Sequence, residues 1–203
     1  MKLMANIRRD LKFAAGLRRL LQRIKPIQLD SPDLVCDDFE EAVDRFPDNI
    51  AVEDDHRTLT YRELDALANR FGHWGQSRRL HRGDVVALMM LNRAEYLAAW
   101  IGFSKIGVAT ALINTNLTGH PLAHCLEISG ASQIVTDNEC WPQVEEARPF
   151  VNRNLMLWVI DMKDEAEADN RRGLDKPLRS GSGVRPNRSI RAGLTNRDTA
   201  LYI

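Results

Sequence analysis

The chain has 203 residues, 44% of them hydrophobic, enough for one domain with a buried core and a short extension. Lysine plus arginine equals aspartate plus glutamate at 28 each, so no overall basic field draws the molecule to nucleic acid. The three cysteines, Cys36, Cys125 and Cys140, share no C-x-x-C spacing and follow no secretory signal, which argues against a disulfide scaffold and for an intracellular, cytoplasmic chain.

Charge that cancels overall is concentrated at the start. Residues 1–25 carry Lys2, Arg8, Arg9, Lys12, Arg18, Arg19, Arg23 and Lys25 against the single acid Asp10. Leu3, Ile7, Leu11, Ala14, Leu17, Leu21 and Ile24 recur at helical steps among them, so the segment reads as a basic amphipathic helix. Charges interrupt it too often for a transmembrane span or a signal peptide. Two uses remain open. It lies on an anionic membrane surface, with Arg8, Arg9, Lys12, Arg18, Arg19 and Arg23 as the contacts, or it docks on protein.

After Pro26 and Pro32 a helical pattern resumes over residues 36–46 and stops at Pro47. Two short β-prone runs, 50–53 and 57–60, flank Asp54-Asp55-His56 and predict a hairpin. Thr60-Tyr61-Arg62-Glu63 then fits a capping box, followed by the stripe Leu64, Leu67, Ala68, Phe71 and Trp74. From Val85 the pattern alternates. Apolar runs at 85–91, 108–113, 133–136 and 155–160 are separated by helical segments at 94–106 and 121–128 and an acidic helical patch, as in a parallel sheet buried on both faces. The fold class expected is α/β, a layered parallel sheet with flanking helices. Residues 161–196 mix eight lysines and arginines with glycine and proline and few large apolar residues, which predicts a flexible polar loop.

Few motifs that carry chemistry are present. Phosphate-loop, dinucleotide-binding and nucleophile-elbow motifs are missing from the sequence. His120 and His124 stand four apart, but without a carboxylate between them and with Pro121 at the helix start they do not make a zinc motif. Cys125 beside His124 reads as a buried, inert thiol rather than a nucleophile. Asn92 and the trio Asn114, Thr115 and Asn116 follow predicted strands, at the edge where open α/β sheets place ligands. Asparagine is also a favoured cap and turn residue, so both readings stand.

The order of local patterns carries a resemblance. Leu59-Thr60-Tyr61-Arg62-Glu63-Leu64-Asp65, Arg82-Gly83-Asp84-Val85-Val86-Ala87, Asn92-Arg93-Ala94-Glu95-Tyr96 and Trp100-Ile101-Gly102-Phe103-Ser104-Lys105-Ile106-Gly107 resemble the amino-terminal half of the AMP-forming acyl-CoA synthetase superfamily. The continuation from Ala109 to Leu117 and at Leu122-Ala123-His124-Cys125-Leu126 is similar to its branch of very-long-chain acyl-CoA synthetases and fatty acid transport proteins. The motifs run from about Phe39 to Val159 and again from Arg197 to Ile203.

The resemblance implies a ligase that joins a fatty acid to ATP as an acyl-adenylate and passes the acyl group to CoA, with ATP, Mg and CoA required by the parent enzyme. In that family a strand like 199–203 runs into a phosphate-binding loop ending in lysine. The sequence therefore reads as an amino-terminal fragment, inactive alone, with no catalytic, cofactor or metal residue of its own and no cofactor expected. The division implied is 1–30 basic helix, 31–160 partial AMP-binding domain, 161–196 loop and 197–203 the strand before the ATP loop. Expected partners are fatty acid for the parent, an anionic membrane with a peripheral position on the inner membrane, no nucleic acid, and self-association through an unfinished core. The alternative is a binding or interaction module that keeps half of the fold.

Overall fold

The structure is a computed structural model that describes residues 10, 12–18, 20, 28–162 and 170–203. Helix α1 (Val35–Arg45) leads to an antiparallel hairpin of β1 (Ile50–Glu53) and β2 (Thr58–Thr60). The expected capping box starts α2 (Tyr61–Ser77): Glu63 N–H donates to Thr60 Oγ1 at 3.3 Å and Thr60 N–H to Glu63 Oε2 at 2.8 Å. Strands and helices then alternate as β3 (Val85–Met89), α3 (Ala94–Ser104), β4 (Ala109–Leu112), α4 (Gly119–Ser129), β5 (Gln133–Asp137), α5 (Trp141–Ala147) and β6 (Met156–Ile160).

These strands form a parallel sheet that β7 (Arg171–Gly173) and β8 (Leu201–Tyr202) complete, in the order β7-β6-β5-β3-β4-β8. Each central strand alternates its side chains between two cores, which is why the apolar runs are continuous. On one face Val86, Leu88, Val135 and Trp158 pack under α2 and α3, with Trp74 and Trp158 edge to face at 5.2 Å. On the other, Ala87, Met89, Ile134 and Leu157 pack under α4 and α5. Helices α2 and α3 cross so closely that a Cβ at Gly102 would lie 2.3 Å from the Ala68 carbonyl oxygen, so only glycine fits.

The interval expected as a polar loop differs in its described part. Residues 170–196 hold β7, α6 (Asp175–Ser180) and a 3-10 turn at Arg188–Arg191, and Leu174, Leu178 and Leu194 are buried. The reason is electrostatic. Its arginines are countercharges for acids far away in sequence: Arg185 binds Asp44 at 2.7 Å and Asp65 at 3.1 Å, and Arg191 binds Asp37 at 2.6 Å and Glu40 at 2.8 Å. Arg188 adds a 2.8 Å contact to Glu40.

Beneath them lies Lys105, just after α3 and wholly buried. Its ammonium donates hydrogen bonds to Asp65 and to Asn69 Oδ1, the latter at 2.6 Å, and pairs with the Glu40 carboxylate at 3.3 Å. Glu40 is itself 1% exposed. Burial by itself would raise its carboxyl; hydrogen bonds from Arg191 and Arg188 and the charge of Lys105 outweigh that and hold it at about 2.

Because this folded value lies below the unfolded one of about 4.3, the stabilisation is complete above it and drains away as pH falls toward the folded value. Urea midpoints measured from pH 5 downward should therefore fall for the parent and fall less steeply for Glu40→Gln. At neutral pH the same variant, which leaves buried cations short of a partner, should cost about 3 kcal/mol or more. Parallel pH slopes for parent and variant would contradict the assignment.

Candidate functional site at the carboxyl edge of the sheet

In a parallel sheet all carboxyl ends meet at one edge. The crossover after β3 uses α3 on one face, whereas those after β4 and β5 use α4 and α5 on the other. The winding therefore reverses at β3, and the crevice this opens is where α/β sheets bind ligands.

Asp137 sits where β5 ends beside β3, at this reversal. It ends β5, is fully buried, and accepts from Leu91 N–H and Cys140 N–H, both at 2.8 Å, tying the loops after β3 and β5 together. Burial, with the charge of Asp137 next, pushes the Cys140 thiol up to about 12. Burial also raises Cys36. Both stay neutral thiols and neither is a nucleophile.

The β1–β2 hairpin is clipped over the same edge. Asp54 Oδ2 accepts from Ala94 N–H at 2.7 Å, capping α3 from another element, since the residue before Ala94 is Arg93 and supplies no cap of its own. Burial pulls the Asp54 carboxyl up, but N–H donors of Ala94, His56 and Arg57 together hold it below the usual range. Glu95 receives Arg57 and, at 2.8 Å, Arg93, whose other end reaches Asp161 at 2.5 Å. Desolvation opposes the charge on Arg93, and the two carboxylates more than restore it, so it stays a cation. A cleft of about 440 Å³ opens beside this cluster, lined by Glu53, Asp55, Asn92, Arg93 and Tyr96 among others.

The structure brings Asn92 and the trio after β4 to this edge, on neighbouring strands. Asn92 is exposed and lines the cleft. Asn114 Oδ1 accepts from Asn116 N–H at 2.9 Å, an Asx turn that uses the amide locally; Asn114 and Asn116 are exposed and Thr115 is half-buried. Lys12 and Arg18 are exposed on a helical stretch, while Arg8, Arg9, Arg19 and Arg23 lie outside the described residues. His120 and His124 are both exposed on α4, His120 stacked on Phe150 at 3.9 Å, and among the described residues no group of three His, Cys, Asp or Glu is placed to hold a metal ion.

What the sequence reading misses is Asp54, Glu95, Arg93 and Asp137. Asp137 had a signal, an acid directly after the β-prone run 133–136; the partners of the other three sit on elements whose meeting only the fold decides. The arrangement organises loops and pairs charges. It supplies neither a nucleophile with a base nor a cradle of backbone amides for phosphate among the described residues. Asp137→Ala would orphan two buried donors and should lower stability by about 2–4 kcal/mol in urea unfolding, with Asp137→Asn recovering part of it.

Comparison with known proteins places this geometry. The AMP-binding enzyme family matches residues 39–201. Mouse long-chain fatty acid transport protein 6 is 31% identical over 150 residues, 71% of this chain and 23% of that protein. Human long-chain fatty acid transport protein 1 is 31% identical over 147 residues, with the same coverage of 71% and 23%. A Mycobacterium tuberculosis fatty acyl CoA synthetase superposes with a TM-score of 0.66 at 24% identity, over 77% of this chain and 30% of that one, which speaks to the fold. The chain thus spans about a quarter of the length of the curated relatives it matches. With the parallel sheet, the reversal at β3 and a family match over most of its length, the chain belongs to the AMP-binding enzyme family.

Proposed function

We propose that this chain is the amino-terminal part of a long- or very-long-chain fatty acid–CoA ligase, which converts ATP, fatty acid and CoA to acyl-CoA, AMP and diphosphate. The observation that carries the reading is the alignment with fatty acid transport proteins across 71% of this chain but only 23% of theirs. The parent uses ATP, Mg and CoA; the 203 residues alone turn nothing over, because a phosphate cradle, a lysine on the phosphates and a metal carboxylate all have to come from elsewhere. What the chain contributes is a rigid sheet edge, with Asn92 and Asn114–Asn116 facing the side on which substrate is handled.

Pyrophosphate release with palmitate and longer acids tests this directly. The purified 203-residue chain should show no acid-dependent release, and robust release would refute the inactivity. Sequencing past codon 203 tests the fragment reading: a Ser/Thr/Gly-rich stretch ending in lysine is expected, and unrelated sequence there would contradict it. A sharp two-state transition in a monodisperse monomer would favour a self-sufficient module over an unfinished core that self-associates.

In the same reading, residues 1–30 hold the protein peripherally on an anionic membrane, at the cytoplasmic face of the inner membrane. Phe13, Leu17 and Leu20 are exposed, at three- and four-residue steps, beside the exposed Lys12 and Arg18. Among the described residues no helix is long and apolar enough to cross a membrane. Binding to anionic liposomes should be reversible and salt-sensitive, with each basic residue near the surface worth about 1 kcal/mol. Reversing the charge of Arg8, Arg9, Arg18 and Arg19 should abolish co-sedimentation; equal sedimentation of variant and parent would make the helix a protein-docking element.

A further inference from the structure

We propose that a cleft at the amino edge of the sheet, built from Arg78, Arg79 and Gln133 over the Trp158 ring, is a binding site for a phosphate monoester. Gln133 and Met156 open β5 and β6, so this cleft lies at the opposite end of the sheet from Asn92 and Asp137. It measures about 370 Å³, the size of a small-ligand pocket.

Its chemistry is one-sided. The Trp158 indole N–H can only donate, and it does so to Gln133 Oε1 at 2.6 Å. That fixes which end of the Gln133 amide is which and leaves its NH2 group to serve the cleft. The Arg78 guanidinium stacks on Trp158, 5.4 Å from the ring centre, which orients its donors. Neither Arg78 nor Arg79 has a carboxylate within ion-pair reach among the described residues, whereas Arg62, Arg82 and Arg93 each have one. The Ser77 hydroxyl is committed to the Trp74 carbonyl at 2.6 Å. The Arg78 guanidinium and the Gln133 NH2 thus border a space that Arg79 also lines and that has no acid in its lining, which suits a dianion with three oxygens. Met156 and Trp158 offer an apolar wall for the organic part.

The backbone gives a second, independent sign. Helix α2 ends in a Schellman motif, with Leu80 N–H donating to Gly75 O at 3.0 Å and Arg79 N–H to Gln76 O at 2.9 Å. The left-handed position of this motif is the usual place for glycine, and Arg79 occupies it at φ 60°. An arginine is held there at a conformational cost, at a residue that lines the cleft.

The test titrates the 203-residue chain with phenyl phosphate and with inorganic phosphate, by calorimetry and tryptophan fluorescence at fixed ionic strength. A parallel arm uses phosphatidylcholine vesicles with and without phosphatidic acid, whose headgroup presents the same phosphate monoester. Saturable binding of phosphate ligand at roughly 1 mM or tighter is expected. Removing one guanidinium fork in Arg78→Gln or Arg79→Gly should weaken it roughly tenfold or more. Arg79→Gly should at the same time raise the thermal midpoint, because glycine relieves the left-handed position, so lost binding cannot be blamed on unfolding. Vesicle binding that responds to these two variants makes the ligand a lipid headgroup, and binding of phenyl phosphate without such a response makes it a soluble metabolite. No saturable binding by the parent, or undiminished binding by Arg79→Gly, would overturn the site and leave the two arginines as charges offsetting the helix terminus.

Discussion

The Lys105 ammonium, with no access to water, is the constraint on which the rest of the architecture depends. A lone buried cation is strongly unfavourable, so whatever surrounds it has to bring anions, and those anions in turn have to be balanced. Asp65 on α2 and Glu40 on α1 supply the first layer; Arg185, Arg188 and Arg191 supply the next. The chain of alternating charge fastens α1, α2 and α3 to one another and draws the segment before β8 across them. Replacing such a network by apolar groups is often neutral for stability, so its value here lies in selecting one arrangement of elements.

That selection has a consequence at the sheet. Strand β8 pairs with Thr110 and Ala111 of β4. Its position is set by what precedes it: Arg82 holds Asp198 at 2.6 Å, and Arg197 holds Asp30 at 2.5 Å. The carboxyl end of β8 is thereby brought to the sheet edge that also carries Asn114–Asn116. At the other side of β3, Asp137 and the Asp54 cap fix the loops of β5 and the hairpin.

How much of this was legible in the sequence follows from the range of each interaction. The capping box at Thr60 and Glu63, the hairpin around Asp54-Asp55 and the apolar runs of β3 to β6 are local or periodic, and each is found where the pattern puts it. The order of the strands, with β5 rather than β4 continuing the sheet on one side of β3, is a long-range outcome. The region 170–196 defeated a compositional reading because its arginines look solvated until Asp37, Glu40, Asp44 and Asp65 are brought to them across more than a hundred residues. In the same way Asn92 and Asn114 could be placed at strand ends, but Arg93 and Glu95, also in that motif, gave no hint of pairing with Arg57 and Asp161.

Charge pairing, more than apolar packing, holds the 185–203 segment to the helices. Hydrogen exchange in Arg191→Met measures this most directly, since the variant keeps the bulk of the side chain and removes the charge. Amide exchange should be at least about tenfold faster from residue 185 through β8 and at Thr110, with β5, β6 and α5 unchanged. Exchange that stays at parental rates through β8, with any acceleration confined to the turn around Arg191, would contradict it.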